Sequence, residues 1–447
     1  MIDLRIASSE LQALRDSLLG YPHERCAVLF ASRARGSADR ELMLVRESEF
    51  PTDEDYIRSG FNHAQLRPDF VARVAKRARL KDLSLVFVHT HPGESAPLFS
   101  VIDDRGEEEL AAFLERRGQT VRHAAVVMSN GGISARVLGR YEPLRVVSVG
   151  NRRVVEFDPE DNKTSDFAIY DRQIRAFGAD GQRILRSLHV AVVGLGGTGS
   201  IAAQQLVHLG VRNFTLIDPD KLEQSNLNRV VSASEGDIGR FKSEVAARYI
   251  HQFSSDAEVR NINGDISYAS VARNLLDADV IFCCTDSHGS RSVVQQVAYQ
   301  YFIPCIDIGS TITVASGEVT GIFGRIQLIG PDQPCLWCSG LLSSEEVRRD
   351  MLTELQRKAD PYIQGANVPA PSVISLNATV VSVAVTLLLG LVTSIPVQFR
   401  HIIYNAATSS MRSVRTNAKD DCFICSRSGA FGLGDAQALF ARKDSFW

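Results

Sequence analysis

The chain has 447 residues, 45% of them hydrophobic, with 49 Lys and Arg against 52 Asp and Glu for a formal charge of -3. That is enough apolar material for a sizeable core, in two large or three smaller domains at about 150 residues each. The near-neutral balance argues against a sequence-independent nucleic-acid binder, which needs a basic surplus to release phosphate counterions, so no nucleic-acid partner is expected.

The opening segment MIDLRIASSELQALRDS carries charges where a secretory signal needs an unbroken apolar run, which predicts a cytoplasmic protein. Residues 10–19 then read as a helix, and residues 26–31, 83–88 and 124–128 as buried strands, making 1–156 a mixed α/β domain. The strand LSLVFV runs into His89-Thr90-His91-Pro92. Two residues apart in extended chain, the imidazoles project to the same side and can grip one metal ion. Ser100 and Asp103 follow in a Ser-x-x-Asp spacing, where the carboxylate adds a third ligand and leaves a fourth position open, the mark of a catalytic Zn2+. Spacing favours Asp103 over its neighbour Asp104, with an exchange of the two left open. Glu24, just before the strand CAVLF, is the best placed group to take and deliver a proton. The His-x-His pattern alone also describes two strand-end histidines facing solvent.

The full string HTHPGESAPLFSVID, with Glu24 in YPHERCAVLF, resembles the JAB/JAMM metalloprotease family, which removes ubiquitin or ubiquitin-like tails from their attachment points. The resemblance implies His89, His91 and Asp103 as zinc ligands, Glu24 as general acid/base and Ser100 as stabiliser of the tetrahedral oxyanion.

The polar, aperiodic run DPEDNKTSD marks residues 157–167 as a linker, and 168–447 as the second domain. From His189 the pattern becomes strand, glycine-rich turn, helix, strand: HVAVVG, GGTGSIAAQQLVHLG, NFTLIDPD and later DVIFCCTD. It predicts a Rossmann-like doubly wound parallel sheet whose ligand lies outside the carboxyl ends of the strands. Gly194, Gly196, Gly197 and Gly199 let backbone approach phosphates that face a helix N-terminus. Asp218 ends the next strand, where a carboxylate can hold ribose hydroxyls, and Asp220 follows it. Asn226, Asn228 and Arg229 in EQSNLNR, Lys242 in GRFKSE and Asp286 in CCTDSHGSR complete the set. Two cations and a carboxylate suit ATP with Mg2+ better than a nicotinamide, leaving hydride transfer as the alternative.

Cys335-x-x-Cys338 and Cys422-x-x-Cys425 are two chelating pairs suited to tetrahedral Zn2+, whereas Cys26, Cys283, Cys284 and Cys305 lie in apolar runs and read as inert. The apolar stretch 380–392 approaches a membrane pattern but is interrupted by Ser382, Thr386 and Gly390, so it reads as a core helix and no membrane partner is expected.

Together with YDRQI at 170–174, these strings are similar to the ThiF/MoeB/HesA family, the core shared with ubiquitin-activating enzymes. The resemblance implies adenylation of the C-terminal carboxylate of a ubiquitin-like or sulfur-carrier protein. It implies ribose held by Asp218, phosphates by Asn226, Arg229 and Lys242, and Mg2+ by Asp286. It also implies a homodimer in which Arg172 reaches the γ-phosphate of the opposite protomer. One departure stands out: no cysteine occurs from Ser339 to Asp421, where thioester-forming relatives keep their nucleophile. The adenylate would then pass directly to a partner's cysteine, as on a ubiquitin-conjugating-enzyme-like protein, or to a sulfur donor. Three readings follow: a bifunctional enzyme that both processes and activates a ubiquitin-like protein, the same chemistry serving sulfur-carrier biosynthesis, and a binding scaffold with one domain inactive.

Overall fold

The computed structural model describes residues 2–37, 40–61, 63–160, 168–352, 356 and 370–443. Most of the expected linker, and most of the stretch DPYIQGANVPAPSVISLN expected to form a crossover loop, lie outside them. The chain divides into two compact units: Met1–Lys163 with Gln300–Phe302 and Ala430–Ala438, and Thr164–Tyr299 with Ile303–Gly429 and Leu439–Trp447. The split differs from the expected boundaries in two short pieces grouped with the first unit. Hydrogen bonds account for their placement: Arg5 Nη1 donates to Tyr301 O at 3.0 Å, Gln300 Nε2 to Gly434 O at 2.7 Å, and Ser32 Oγ to Gly432 O.

The first unit contains β1 (Ile2–Ala7), α1 (Ser8–Leu18), β2 (Cys26–Arg35), β3 (Glu41–Glu49), the hairpin β4 (Tyr56–Gly60) and β5 (His63–Leu66), and α2 (Pro68–Leu80). It continues with β6 (Ser84–Thr90), α3 (Val101–Arg116), β7 (Ala124–Ser129), β8 (Gly132–Val137), β9 (Arg145–Val149) and β10 (Arg153–Phe157). Eight strands form one mixed sheet in the order β10-β9-β1-β3-β2-β6-β7-β8. Strand alternation sends successive side chains to opposite faces, and both faces are covered. Ala27, Leu29, Ala31, Val86 and Val88 join the cluster that includes Leu11, Leu14 and Leu18 of α1. Val28, Phe30 and Leu85 join Phe70, Val74 and Ala78 of α2 and Leu114 of α3. His89, in phase with Leu85, therefore faces the α3 side.

The second unit contains α4 (Asp171–Ser187), β11 (His189–Val193), α5 (Gly197–His208), β12 (Asn213–Ile217), α6 (Lys242–Phe253), β13 (Glu258–Ile262), the short α7 (Ala269–Ala272) and β14 (Val280–Cys283). It then has α8 (His288–Gln300), β15 (Cys305–Ala315), β16 (Glu318–Ile329), α9 (Ser344–Met351), α10 (Ile374–Val392), β17 (His401–Asn405) and β18 (Ser410–Ser413). Their strand order is β13-β12-β11-β14-β15-β16-β17-β18. The first five are mutually parallel, as expected, and the order reverses at β11, between β12 and β14. Such a switch point opens a crevice at the strands' carboxyl ends. The antiparallel extension from β15 to β18 is not part of the sequence expectation. Val380, Val381, Ala384, Leu387, Leu388 and Leu391 of α10 enter the core with Leu206 of α5 and Ile326 of β16. Among the described residues α10 is the one helix long and apolar enough to cross a membrane, and its membership of this core agrees with the reading as a core helix.

Candidate functional site

In the first unit, β2 and β6 run antiparallel with Cys26 opposite His89. The pairing continues past the strand ends, where Thr90 N donates to Arg25 O at 3.0 Å and Arg25 N to Thr90 Oγ1 at 2.9 Å. Glu24 is thereby set opposite His91, with Oε1 3.9 Å from Nε2. Asp103, in the first turn of α3, closes the cluster: its oxygens lie 3.2 Å from His89 Nε2 and 3.4 Å from His91 Nε2, while the two Nε2 atoms are 3.2 Å apart. Ligands about 2.0–2.1 Å from a tetrahedral Zn2+ are separated by about 3.3 Å, so these three donors fit one ion.

The Asp103–Asp104 ambiguity resolves in favour of Asp103, because Asp104 turns away to pair with Arg136 Nη2 at 2.7 Å. Burial would raise the Asp103 carboxyl, but hydrogen bonding to His89 and Ser100 holds it well below the carboxylate range. Burial pushes Glu24 up to about 7, against the pull of His89. A carboxyl near neutrality can both accept and return a proton. Ser100 is the N-cap of α3, its Oγ accepting from Asp103 N at 3.2 Å. The hydroxyl's own hydrogen remains available as a donor.

In the second unit the glycine turn leaves β11 and enters α5. Gly194 has φ +85°, and a Cβ at Gly199 would fall 1.7 Å from Gly194 O, so neither position tolerates a side chain. A Cβ at Gly197 would meet Asn377 Nδ2 at 2.4 Å and Arg229 Cγ and Cδ at 3.4 Å. Arg229 thus lies against the start of α5, with Nη1 donating to Ser225 O at 2.6 Å and to Asn228 Oδ1 at 3.2 Å. Lys242 Nζ, at the start of α6, is 2.8 Å from the exposed carboxylate of Asp220. Asp286 follows β14 in the loop across the switch point, whose Cys284 O accepts from Thr198 Oγ1 at 3.4 Å.

Two of the expected ligands also accept hydrogen bonds from the backbone. Asp218 is 4% exposed, and both its oxygens accept backbone amides, from Leu195 at 2.5 Å and Asp220 at 2.8 Å. It clamps the glycine turn, and the carboxylate open to solvent is that of Asp220. Burial raises Asp218 against the pull of the Leu195 amide and Lys242. Asn226 is also buried and accepts from Glu223 N at 3.1 Å, shaping the loop that carries Arg229. Arg172 is exposed on α4.

Asn377, absent from the expected set, is 1% exposed. It accepts from Ser310 Oγ at 2.8 Å and donates to Ser372 Oγ at 3.0 Å beside Gly197. An asparagine in the first turn of a mostly apolar helix was the available signal. The four chelating cysteines converge, with Sγ separations of 3.5 Å for Cys335–Cys422 and 3.6 Å for Cys338–Cys425. All four sulfurs lie within 4.8 Å of one another, near the roughly 3.8 Å edge of a tetrahedron with Zn–S of about 2.3 Å. Cys26, Cys283 and Cys305 are buried and Cys284 half-buried. Burial raises the thiols of Cys284 and Cys305, which agrees with their reading as inert.

A parallel sheet with a glycine turn and flanking cations at its switch point defines the class, a nucleotide-binding α/β fold, here joined to a unit with three clustered side chains that could hold a metal ion. The chain belongs to the ThiF family, whose model matches residues 170–424, and residues 7–141 match the model for prokaryotic homologs of the JAB domain. It is a fusion of the two. It is 27% identical over 258 residues to the molybdopterin-synthase adenylyltransferase of Escherichia coli K12, covering 57% of this chain and 95% of that protein. It is 30% identical over 161 residues to the SAMP-activating enzyme E1 of Haloferax volcanii, covering 36% of this chain and 56% of that one. The crystal structure of E. coli MccB aligns over 60% of this chain and 75% of its own with 20% identity and a TM-score of 0.46.

Proposed function

We propose that the second unit adenylates the C-terminal carboxylate of a ubiquitin-like or sulfur-carrier protein, and that the first trims or releases the same protein by zinc-dependent peptide or isopeptide cleavage. The adenylyltransferase relatives support the first half, and the three-ligand cluster with Glu24 supports the second. The observation that carries the reading is Arg229 packed against the start of α5, beside the turn where phosphates would lie.

A carboxylate is a poor nucleophile toward an anionic α-phosphorus, so catalysis must come from charge neutralisation and alignment. One carboxylate oxygen bonds to the α-phosphorus as the bond to the β-phosphate's bridging oxygen breaks, and the charge leaves on pyrophosphate. Arg229 and Lys242 would meet that charge, Asp286 would hold Mg2+, and Asp218, with the exposed Asp220 beside it, would hold ribose. In the first unit His89, His91 and Asp103 would hold Zn2+, which supplies Lewis acidity at the scissile carbonyl. Glu24 moves the proton from the attacking water to the leaving amine, and Ser100 donates toward the oxyanion. Without a cysteine between Ser339 and Asp421, the adenylate passes to a partner's thiol or a sulfur donor. The enzyme acts in the cytoplasm as a homodimer, with Arg172 completing the opposite site.

ATP–pyrophosphate exchange dependent on a glycine-tailed carrier protein tests the reading. Removal of one donor to a transition-state oxyanion typically costs 10²–10³ in kcat, so Arg229→Ala should lower exchange at least about a hundredfold with its melting temperature unchanged. Equal exchange by wild type and variant would remove the assignment.

A further inference from the structure

The JAB-like unit contains a buried ion-pair cluster directly behind the proposed metal ligands. Arg136, in β8, is 8% exposed, and strand alternation turns it to the α3 side while Ile133, Ala135 and Val137 enter the core on the other face. Its Nε lies 3.2 and 3.1 Å from the two oxygens of Glu107, and its Nη2 lies 2.9 Å from Glu107 and 2.7 Å from Asp104. The flat guanidinium also lies 3.8 Å over the ring of Phe99. Phe99 in turn packs 6.1 Å from the His89 ring, centroid to centroid, and immediately precedes the Ser100 cap. One side chain therefore fixes two things: the first two turns of α3, through Asp104 and Glu107, and the segment entering them, through Phe99.

We infer that Arg136 is a positioning residue for the zinc site, holding Asp103 and His89 at ligand distance through Asp104, Glu107 and Phe99. The inference rests on the metal-site reading above. Asp103 is followed by two further carboxylates in the first two turns of α3, Asp104 beside it and Glu107 one turn on, and without a cation between them their mutual repulsion splays those turns. Lysine keeps the charge but has neither the planar fork for Glu107 and Asp104 nor the flat face for Phe99. Groups that orient metal ligands from behind typically contribute 10–100-fold in affinity.

The test is a Zn2+ titration against a chromophoric chelator, on full-length protein whose four-cysteine site is already filled, with near-UV circular dichroism of the metal-free form as the fold control. Wild type should take up one further zinc and His89→Ala none. If the two behave alike, the metal-site reading fails, whatever Arg136 does. Given uptake by wild type, Arg136→Met should bind that zinc 10–100-fold more weakly and Arg136→Lys at least about threefold more weakly, both with a native metal-free spectrum. Affinity within twofold of wild type for the methionine variant would overturn the role of Arg136. Should that variant not fold, the lysine variant decides by the same criterion, because a merely structural arginine would leave zinc affinity intact in any folded form.

Discussion

His123, just before β7, is 6% exposed, and its Nδ1 accepts from Leu85 N at 2.9 Å. That fixes the neutral ring, since a second proton would set N–H against N–H. Burial, with the nearby Arg33 charge adding to it, lowers the imidazole to about 4. An unfolded histidine binds its proton near pH 6.5, so between there and pH 4 the unfolded chain holds a proton the folded one refuses. The stabilisation is present in full above pH 6.5 and is lost as pH falls toward 4, a span worth about 3 kcal/mol. Calorimetric melting at pH 7.5 and pH 5 should show a smaller drop for His123→Gln than for wild type. Equal drops would mean that the ring is protonated in the folded state. His401 in the second unit is also lowered to about 4 by burial, so the comparison with the variant, rather than the slope itself, isolates His123.

At the scale of elements, the glycine turn between β11 and α5 is tied to β12 by the Asp218 carboxylate, which accepts the Leu195 and Asp220 amides. Asp218→Asn keeps the shape but turns an amide NH2 toward Leu195 N or Asp220 N, leaving a buried donor unsatisfied at a cost of about 1–3 kcal/mol. The variant should bind ATP more weakly by roughly tenfold or more, measured by fluorescent-nucleotide titration, whereas unchanged affinity would mean that the turn holds its shape without the clamp. The strand-end aspartate was legible in the sequence but its bonds to the turn were not, because which groups a carboxylate meets depends on how the chain folds back over it. The convergence of His89, His91 and Asp103 was more fully legible. Alternation in β2 and β6 sets the faces, and antiparallel pairing of Cys26 with His89 brings Glu24 to His91. The Ser-x-x-Asp spacing that suggested a ligand is also the pattern of a capping box, which Ser100 and Asp103 form while Asp103 lies within 3.4 Å of both histidines. The antiparallel half of the second sheet and the contacts of Asn377 left no comparable periodic trace. Strand direction is set by connections, and a buried amide is recognisable only once its neighbours are in place.

For the whole molecule, the two clusters of candidate metal ligands differ in chemistry enough to be separated by one reagent. Four thiolates in a closed tetrahedral set bind Zn2+ tightly, and Cys335 and Cys422 are buried. Two imidazoles and one carboxylate form an open set, with all three residues only half-buried. Brief chelation, followed by desalting and return of Mg2+, should therefore leave one zinc per chain, abolish cleavage of a carrier conjugate, and preserve carrier-dependent pyrophosphate exchange. Glu24→Gln should imitate that split while keeping both metals, because it removes the proton carrier and leaves the three ligands in place. Joint loss of both activities on brief chelation would mean that the metals are not independent, and persistence of cleavage would mean that hydrolysis does not use the histidine cluster. Arg229→Ala supplies the opposite split, exchange lost with cleavage intact. A chain that passes both separations carries two chemistries on one polypeptide, each dependent on a different set of side chains.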